Sequence, residues 1–340
     1  MQSILRFSRS EIEGSQDIFI PAQDGVMVFL KENKPLFFIR TNDLKKLLDV
    51  LVETEAKENP QRKSLEPVLD KYDSLVCYPV EDELQALITE KRLLLQETPE
   101  FHKKIRLYDH YPYLSLNIEE PPYLAAKEDT IDKMLYIGPF SDHFFLLVVI
   151  NTFNQIVKTP ACPGSDSPCN LLEEQRCPGY CLKENKQDLR ELFEKHLITE
   201  NHELLANLYQ VRKELQNNLE FEKELEIEES ITVLEKYYQY LLFFHTAKHI
   251  TGSFTLNGIE YRVRQGLLES ITEGTTTETF SPINNYFDDY EKGEQLALPK
   301  ESFREMWILF KKFSALYPEK IDEIYENSLL TIKNFFRSEA

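Results

Sequence analysis

Short apolar runs and helical repeats predict that the first 120 residues alternate between strands and helices. The helical repeat is clearest after Asn42-Asp43, where leucines recur at i, i+3, i+4 and i+7. A second amphipathic helix is predicted over Glu81–Gln96. The predicted strands are Asp17–Ile20, Val26–Leu30, Leu36–Ile39, Ser74–Val80 and Tyr111–Leu116. We expect a mixed α/β domain with a small sheet.

The rest of the chain is predicted to be largely helical, with one hairpin of strands. Asn257-Gly258 between two alternating runs predicts that hairpin, and we expect a polar loop over Glu269–Pro299. A strand is predicted at Met134–Ile137. Helices are predicted over Phe144–Val157, over most of Lys186–Ile250, and in two amphipathic segments around Trp307 and Tyr325.

Charge and motif content exclude several functions. With 39 Lys+Arg against 58 Asp+Glu, the formal net charge is -19, which argues against a general polyanion binder. The 10 glycines lack the spacing of a Walker A loop or a G-x-G turn. Because no apolar run has the length of a signal sequence or a membrane span, we expect a cytoplasmic protein with no membrane partner.

Four of the five cysteines lie inside one proline-rich stretch of twenty residues. Four thiolates in one loop can close a tetrahedral zinc site or hold an iron-sulfur cluster, and either role would be structural because no ligand position stays open. The spacing is not the C-x2-C of zinc ribbons. The candidate ligands are Cys162, Cys169, Cys177 and Cys181.

The segment Tyr136-Ile137-Gly138-Pro139-Phe140, followed by the four cysteines, resembles the N-terminal half of UvrC, the nuclease subunit of bacterial nucleotide excision repair. In that family the cysteines ligate a 4Fe-4S cluster, so the resemblance implies this cofactor, with zinc as the alternative. Further on, Leu219-Glu220-Phe221-Glu222-Lys223 resembles the UVR motif, a helical hairpin that contacts UvrB. Leu219, Phe221 and Glu222 are therefore candidate partner-binding residues, although Glu224 to Glu229 is more acidic than the family pattern.

The first domain resembles a GIY-YIG nuclease domain. Ile20-Pro21-Ala22-Gln23-Asp24-Gly25-Val26-Met27 is similar to its first strand, and Leu36 to Lys46 to its second strand and following helix. Glu90, in Ala86-Leu87-Ile88-Thr89-Glu90, falls at the glutamate that holds a divalent metal in that family. The resemblance covers about residues 17–245.

Several catalytic positions of the GIY-YIG pattern are changed in this chain. Met27 and Phe37 stand at the two tyrosines, Ile39 at the glycine and Leu47 at the arginine. Arg40 takes the place of the family lysine. Loss of one electrostatic donor alone can slow a reaction ~100–1000-fold. Residual catalysis, with Mg or Mn, would depend on Glu90, Lys45 and His102, the last of which stands at the family asparagine.

We expect an α+β protein with four parts. These are a degenerate GIY-YIG-like domain at 14–120, a linker strand, helix and four-cysteine segment at 121–185, a UVR-like helical region at 186–250, and a β-hairpin with C-terminal helices at 251–340. We also expect that the second nuclease domain and the helix-hairpin-helix domain of UvrC are missing.

Two functions remain open. The first is a non-catalytic iron-sulfur scaffold in DNA repair that docks on a UvrB-like or other repair protein, with only weak contact to DNA. The alternative is an active metal-dependent endonuclease similar to the short Cho-type homologues of UvrC, which would make an incision in excision repair. The acidic run from Glu220 to Glu229 predicts that the partner surface is basic protein.

Overall fold

The computed structural model describes residues 4–14, 18–52, 60–130, 134–156, 170–174, 178–182, 186–280 and 296–338. These residues form two compact units. The first consists of residues 1–109 and 268–282, and the second of residues 110–267 and 283–340. None of the helices within the described residues is long and apolar enough to cross a lipid bilayer.

Strands and helices alternate along the described chain. The strands are β1 Leu5–Ser8, β2 Gly25–Lys31, β3 Lys34–Thr41, β4 Ser74–Pro79, β5 Tyr113–Leu116, β6 Leu124–Lys127, β7 Leu135–Gly138, β8 Gly252–Leu256, β9 Ile259–Arg264, β10 Leu267–Glu273, β11 Thr276–Thr279 and β12 Leu296–Ala297. The helices are α1 Arg9–Gly14, α2 Leu44–Val52, α3 Pro60–Leu69, α4 Glu83–Gln96, α5 His143–Ile156, α6 Asn170–Glu173, α7 Gln187–Phe193, α8 His202–Asn217, α9 Phe221–Thr246, α10 Phe303–Leu316 and α11 Pro318–Ser338.

The first unit is built on an antiparallel sheet with the order β1-β4-β2-β3. Because side chains alternate along a strand, each strand supplies both faces of the sheet. On one face Met27, Phe29 and Phe37 pack with the leucines of α2 and with Leu65 and Val68 of α3. On the other face Val26, Val28 and Phe38 pack against Ala86 of α4. Both faces are therefore covered by helices.

A late segment of the chain also belongs to the first unit. Strands β10 and β11 pair antiparallel, and Glu278 and Phe280 at the end of this hairpin contact α4. Arg92 Nε donates to Glu278 Oε2 at 2.8 Å, and the Lys91 ammonium lies 5.6 Å from the Phe280 ring centroid. The prediction of a loop over Glu269–Pro299 is wrong for these strands and for β12, because β10 carries buried residues that pair with the threonine-rich β11 and β12 is itself buried. Residues 281–295 lie outside the described residues.

The second unit combines a small sheet with helices around an aromatic core. The sheet has the order β12-β7-β5-β6, in which β12 is parallel to β7 and the other pairs are antiparallel. Helix α9 supplies the centre of the core. The ring centroids of Phe244 and Phe140 are 5.2 Å apart, and those of Phe243 and Trp307 of α10 are 4.9 Å apart. The long apolar end of α9 thus holds the sheet and the C-terminal helices together.

The mixed α+β architecture predicted from the pattern is confirmed, and most long elements lie where they were expected. The strand predicted at Asp17–Ile20 is wrong, since residues 18–20 have no regular structure. The pattern also missed β1, β6 and α3. Helix α3 begins with Pro60 and contains Pro67, residues that weaken a helix signal, whereas β1 and β6 span four residues each, too few to show a period.

Candidate functional site

Glu90 lies on α4, the helix that covers one face of the first sheet. The helix begins at Asp82, whose side chain accepts a hydrogen bond from the Gln85 backbone N–H at 2.9 Å. Leu84, Ala86, Leu87 and Ile88 are buried on its inner side. Because Glu90 follows Ala86 by four residues, it lies on the same side of the helix and is 23% exposed.

The carboxylate of Glu90 forms an ion pair with Arg40 of β3. Arg40 Nη1 lies 3.5 Å from Glu90 Oε2, and the arginine side chain is 14% exposed. Arg40 pairs with Val26 in the sheet and shares the face on which Val26 and Phe38 contact α4. The guanidinium at the family's lysine position is therefore directed at Glu90.

The changed catalytic positions lie on the other face of the sheet. Met27, Phe37, Ile39 and Leu47 are all buried in the cluster formed with α2 and α3. Val26 and Phe38 alternate with Met27 and Phe37, so the sheet itself separates this cluster from the Arg40–Glu90 pair. The residues at the tyrosine, glycine and arginine positions thus contribute apolar packing.

Lys45 and His102 are not joined to Glu90. Lys45 is exposed in the first turn of α2, and His102 is exposed after α4, where its backbone N–H donates to Pro99 O at 3.1 Å. No hydrogen bond or ion pair between described residues links either side chain to Glu90. The described part of the chain also contains no group of three or more His, Cys, Asp or Glu that could hold a metal ion. Because the Arg40 guanidinium already faces the Glu90 carboxylate at 3.5 Å, this position does not favour a divalent cation.

Of the four clustered cysteines, Cys162, Cys169 and Cys177 lie outside the described residues. Cys181 is exposed in a 3-10 turn at Tyr180–Leu182. The four-cysteine site therefore stays a prediction. Cys77 is different, since it is buried in the apolar core of the first unit and burial raises the pKa of its thiol to about 12. Its thiol stays protonated at neutral pH and is a poor metal ligand.

The segment resembling a UVR motif forms the turn and second helix of a hairpin, α8 and α9. Leu219 adopts a left-handed backbone conformation in the turn, with φ of 60°. Three polar pairs join the two helices. Gln216 Nε2 donates to Glu224 Oε1 at 2.9 Å, and Tyr209 and Arg212 donate to Glu235 and Glu228, respectively.

The tip of this hairpin exposes large apolar side chains. Leu219 is 71% exposed, Phe221 62% and Leu225 59%. Glu222 beside them is also exposed. The resemblance to the UVR motif indicated Leu219, Phe221 and Glu222 but not Leu225, although the spacing of Leu225 four residues after Phe221 places both on one side of a helix. We call Leu219, Phe221 and Leu225 the hairpin tip.

His245 and His249, spaced i and i+4 on the chain, do not form a metal site but lie near the end of α9. The fully buried His245 ring donates from Nε2 to Ile198 O at 2.8 Å and accepts at Nδ1 from the Ser328 hydroxyl at 3.0 Å. Burial lowers the pKa of both histidines to about 4. His245 is therefore a neutral, hydrogen-bonded core residue.

Comparison with curated proteins shows similarity to UvrABC system protein C. The chain is 29% identical over 232 residues to the protein of Nautilia profundicola, covering 64% of this chain and 37% of that protein. It is 26% identical over 222 residues to that of Aquifex aeolicus, covering 63% of this chain and 38% of that protein. The chain thus spans little more than a third of the length of these relatives. No protein-family model matches.

Among solved structures, the chain matches the GIY-YIG N-terminal endonuclease domain of UvrC from Thermotoga maritima bound to its catalytic divalent cation, magnesium. The match has 22% identity and a TM-score of 0.22 and covers 27% of this chain and 92% of that domain. A point mutant of the same domain matches at 24% identity with the same TM-score. A TM-score of 0.22 does not establish a shared fold. The description of the fold depends on the strand order and pairing of the chain itself.

We predict that acid destabilises the second unit through His245. An unfolded histidine has a pKa of about 6.5, so the unfolded chain binds a proton that the folded site rejects. The stabilising contribution is complete above pH 6.5 and is lost as the pH falls toward about 4. This difference corresponds to about 3 kcal/mol. Urea unfolding at several pH values between 7 and 4 measures it.

The control is His202→Gln, which removes an exposed histidine. His245→Gln should make the fall in unfolding free energy below pH 6.5 shallower, with the remaining fall due to His249, whose pKa burial also lowers to about 4, and His202→Gln should leave the fall as in the wild type. An unchanged pH dependence in His245→Gln would contradict the assignment.

Proposed function

We propose that this chain is a UvrC-like DNA-repair protein of the cytoplasm whose GIY-YIG-like domain does not cut DNA. In this proposal the helical hairpin docks on a UvrB-like or other repair protein, and the cysteine segment stabilises the fold with an iron-sulfur cluster. Any contact with DNA is weak. Sequence similarity to UvrABC system protein C over 64% of the chain supports the repair assignment.

One observation carries the non-catalytic part of the proposal. The four residues at the tyrosine, glycine and arginine positions are apolar and buried in a single cluster, which consists of Met27, Phe37, Ile39 and Leu47 with their neighbours. GIY-YIG hydrolysis needs phenolic hydroxyls to position water and a cation to offset phosphate charge. A buried aliphatic or phenyl group supplies neither, and the sheet separates this cluster from Glu90.

We predict that the purified protein does not nick a damaged DNA duplex in Mg2+ or Mn2+. The comparison is between the wild type and Glu90→Ala under single-turnover conditions. Both should give the background rate, because the groups that position water and stabilise charge are absent. Metal-dependent incision by the wild type that is lost in Glu90→Ala would establish the alternative function, an active endonuclease of the Cho type.

The hairpin tip supports the docking part of the proposal. Leu219 in the turn and Phe221 and Leu225 one helical turn apart on α9 expose large apolar side chains that a partner can bury. Six glutamates and one lysine surround them between Glu220 and Glu229. This concentration of negative charge favours binding to a basic protein surface over binding to the phosphates of DNA. It speeds encounter with a basic partner and repels a polyanion.

We predict that Phe221→Ser weakens binding to a purified UvrB-type protein at least tenfold, because it removes the central aromatic anchor of the hairpin tip. Leu330→Ser is the matched control, since Leu330 is 61% exposed on α11, which contacts α9 through Ser328 and His245 at the end of α9 opposite Phe221. Isothermal titration at low and high salt measures affinity and its salt dependence. Equal losses in the two variants, or none in Phe221→Ser, would reject the hairpin tip as the docking site.

We predict that anaerobically purified protein carries a 4Fe-4S cluster on Cys162, Cys169, Cys177 and Cys181. A brown protein with broad absorbance near ~400 nm and about four irons per chain is expected. Cys169→Ser should lose the colour. Cys77→Ser should keep it, because Cys77 is buried in the first unit. Stoichiometric zinc without iron would contradict the iron-sulfur prediction and identify zinc as the bound metal.

A further inference from the structure

We propose that the Arg40 guanidinium takes the place of a divalent cation at Glu90, so that the positive charge facing this carboxylate is supplied by the chain itself. The inference rests on the proposed function only in that Glu90 stands at the metal-ligand position of the GIY-YIG pattern. The pairing and its burial are features of this chain's own structure.

The ion pair is partly enclosed. Arg40 and Glu90 are 14% and 23% exposed, and Arg40 Nη1 lies 3.5 Å from Glu90 Oε2. Arg40 Nη1 is buried and makes no hydrogen bond within the described structure. The charge of this nitrogen is therefore balanced by Glu90, and loss of the carboxylate would leave a buried, unpaired cation.

A divalent cation competes poorly for this carboxylate. Mg2+ in proteins is usually held by one or two carboxylates together with water and substrate phosphates. Glu90 belongs to no group of three or more His, Cys, Asp or Glu side chains that could hold a metal ion in the described part of the chain. A bound cation would also lie close to the guanidinium, which would repel it at short range in a site of reduced solvent access.

The pair also joins two elements of the first unit. Arg40 is near the end of β3, at the edge of the sheet, and Glu90 is in the second half of α4. The ion pair therefore fixes the helix to the edge strand. It also leaves the Arg40 side chain only 14% exposed.

A double-mutant cycle with Arg40→Met and Glu90→Gln tests the pairing in the full-length protein. We expect the two substitutions to be coupled by about tenfold in the unfolding equilibrium constant. Lys71→Met and Glu100→Gln form the matched cycle, since this pair has a similar separation of 3.4 Å but both side chains are 47% exposed. Its coupling should stay below about threefold. Equal coupling in the two cycles would overturn the proposal.

Mn2+ binding tests the exclusion of metal without relying on the stability of Arg40→Met. Water-proton relaxation with Mn2+ should give the same titration curve for the wild type and Glu90→Gln. A site present in the wild type and lost in Glu90→Gln would overturn the inference. If such a site appears while the protein still fails to cut DNA, the inference fails and the proposed function stands. Metal-dependent incision of DNA by the wild type would contradict the proposed non-catalytic function.

Discussion

The burial of both faces of the β1-β4-β2-β3 sheet is the constraint on which the first unit depends. A sheet covered by helices on both sides needs apolar residues at successive strand positions, and β2 and β3 supply them almost without interruption. Met27, Phe37 and Ile39 belong to this packing. Tyrosines or a glycine substituted at these positions would change this packing, so the identities of these three residues are linked to the stability of the domain.

The same unit shows how a polar pair survives beside an apolar core. Arg40 and Glu90 lie at the border of the cluster formed by Val26, Phe38 and Ala86, where partial exposure lowers the desolvation penalty. A carboxylate retained at this place is explained by its ion pair and does not need a metal. Persistence of one acidic residue is therefore weak evidence for nuclease activity when its neighbours have changed.

The second unit has a different organisation. The apolar end of α9 packs among aromatic rings, including Trp307, whereas its first turns extend away as part of the charged hairpin. One helix thus combines a core segment with a surface segment that ends in exposed apolar residues. His245, neutral and hydrogen-bonded, completes the core where α9 meets α11. The rigid base lets the hairpin tip present Phe221 without the entropy loss of ordering a loop.

Much of the fold followed from the sequence alone, because period and turn chemistry are local properties. The leucine repeat of α2, the Asn257-Gly258 hairpin and the interruption before α9 were all readable. Likewise, the identities of Met27 and Phe37 already indicated missing hydroxyl groups. The sequence also predicted the charged hairpin and named Phe221 as a candidate partner-binding residue.

Only the tertiary structure decided which of these residues meet. Arg40 and Glu90 are fifty positions apart, and their contact depends on α4 packing on one chosen face of the sheet. The return of β10 and β11 to the first unit, 170 residues after α4, also has no local signal. Such pairings depend on the packing of distant surfaces, which is a property of the whole chain and not of any window of it.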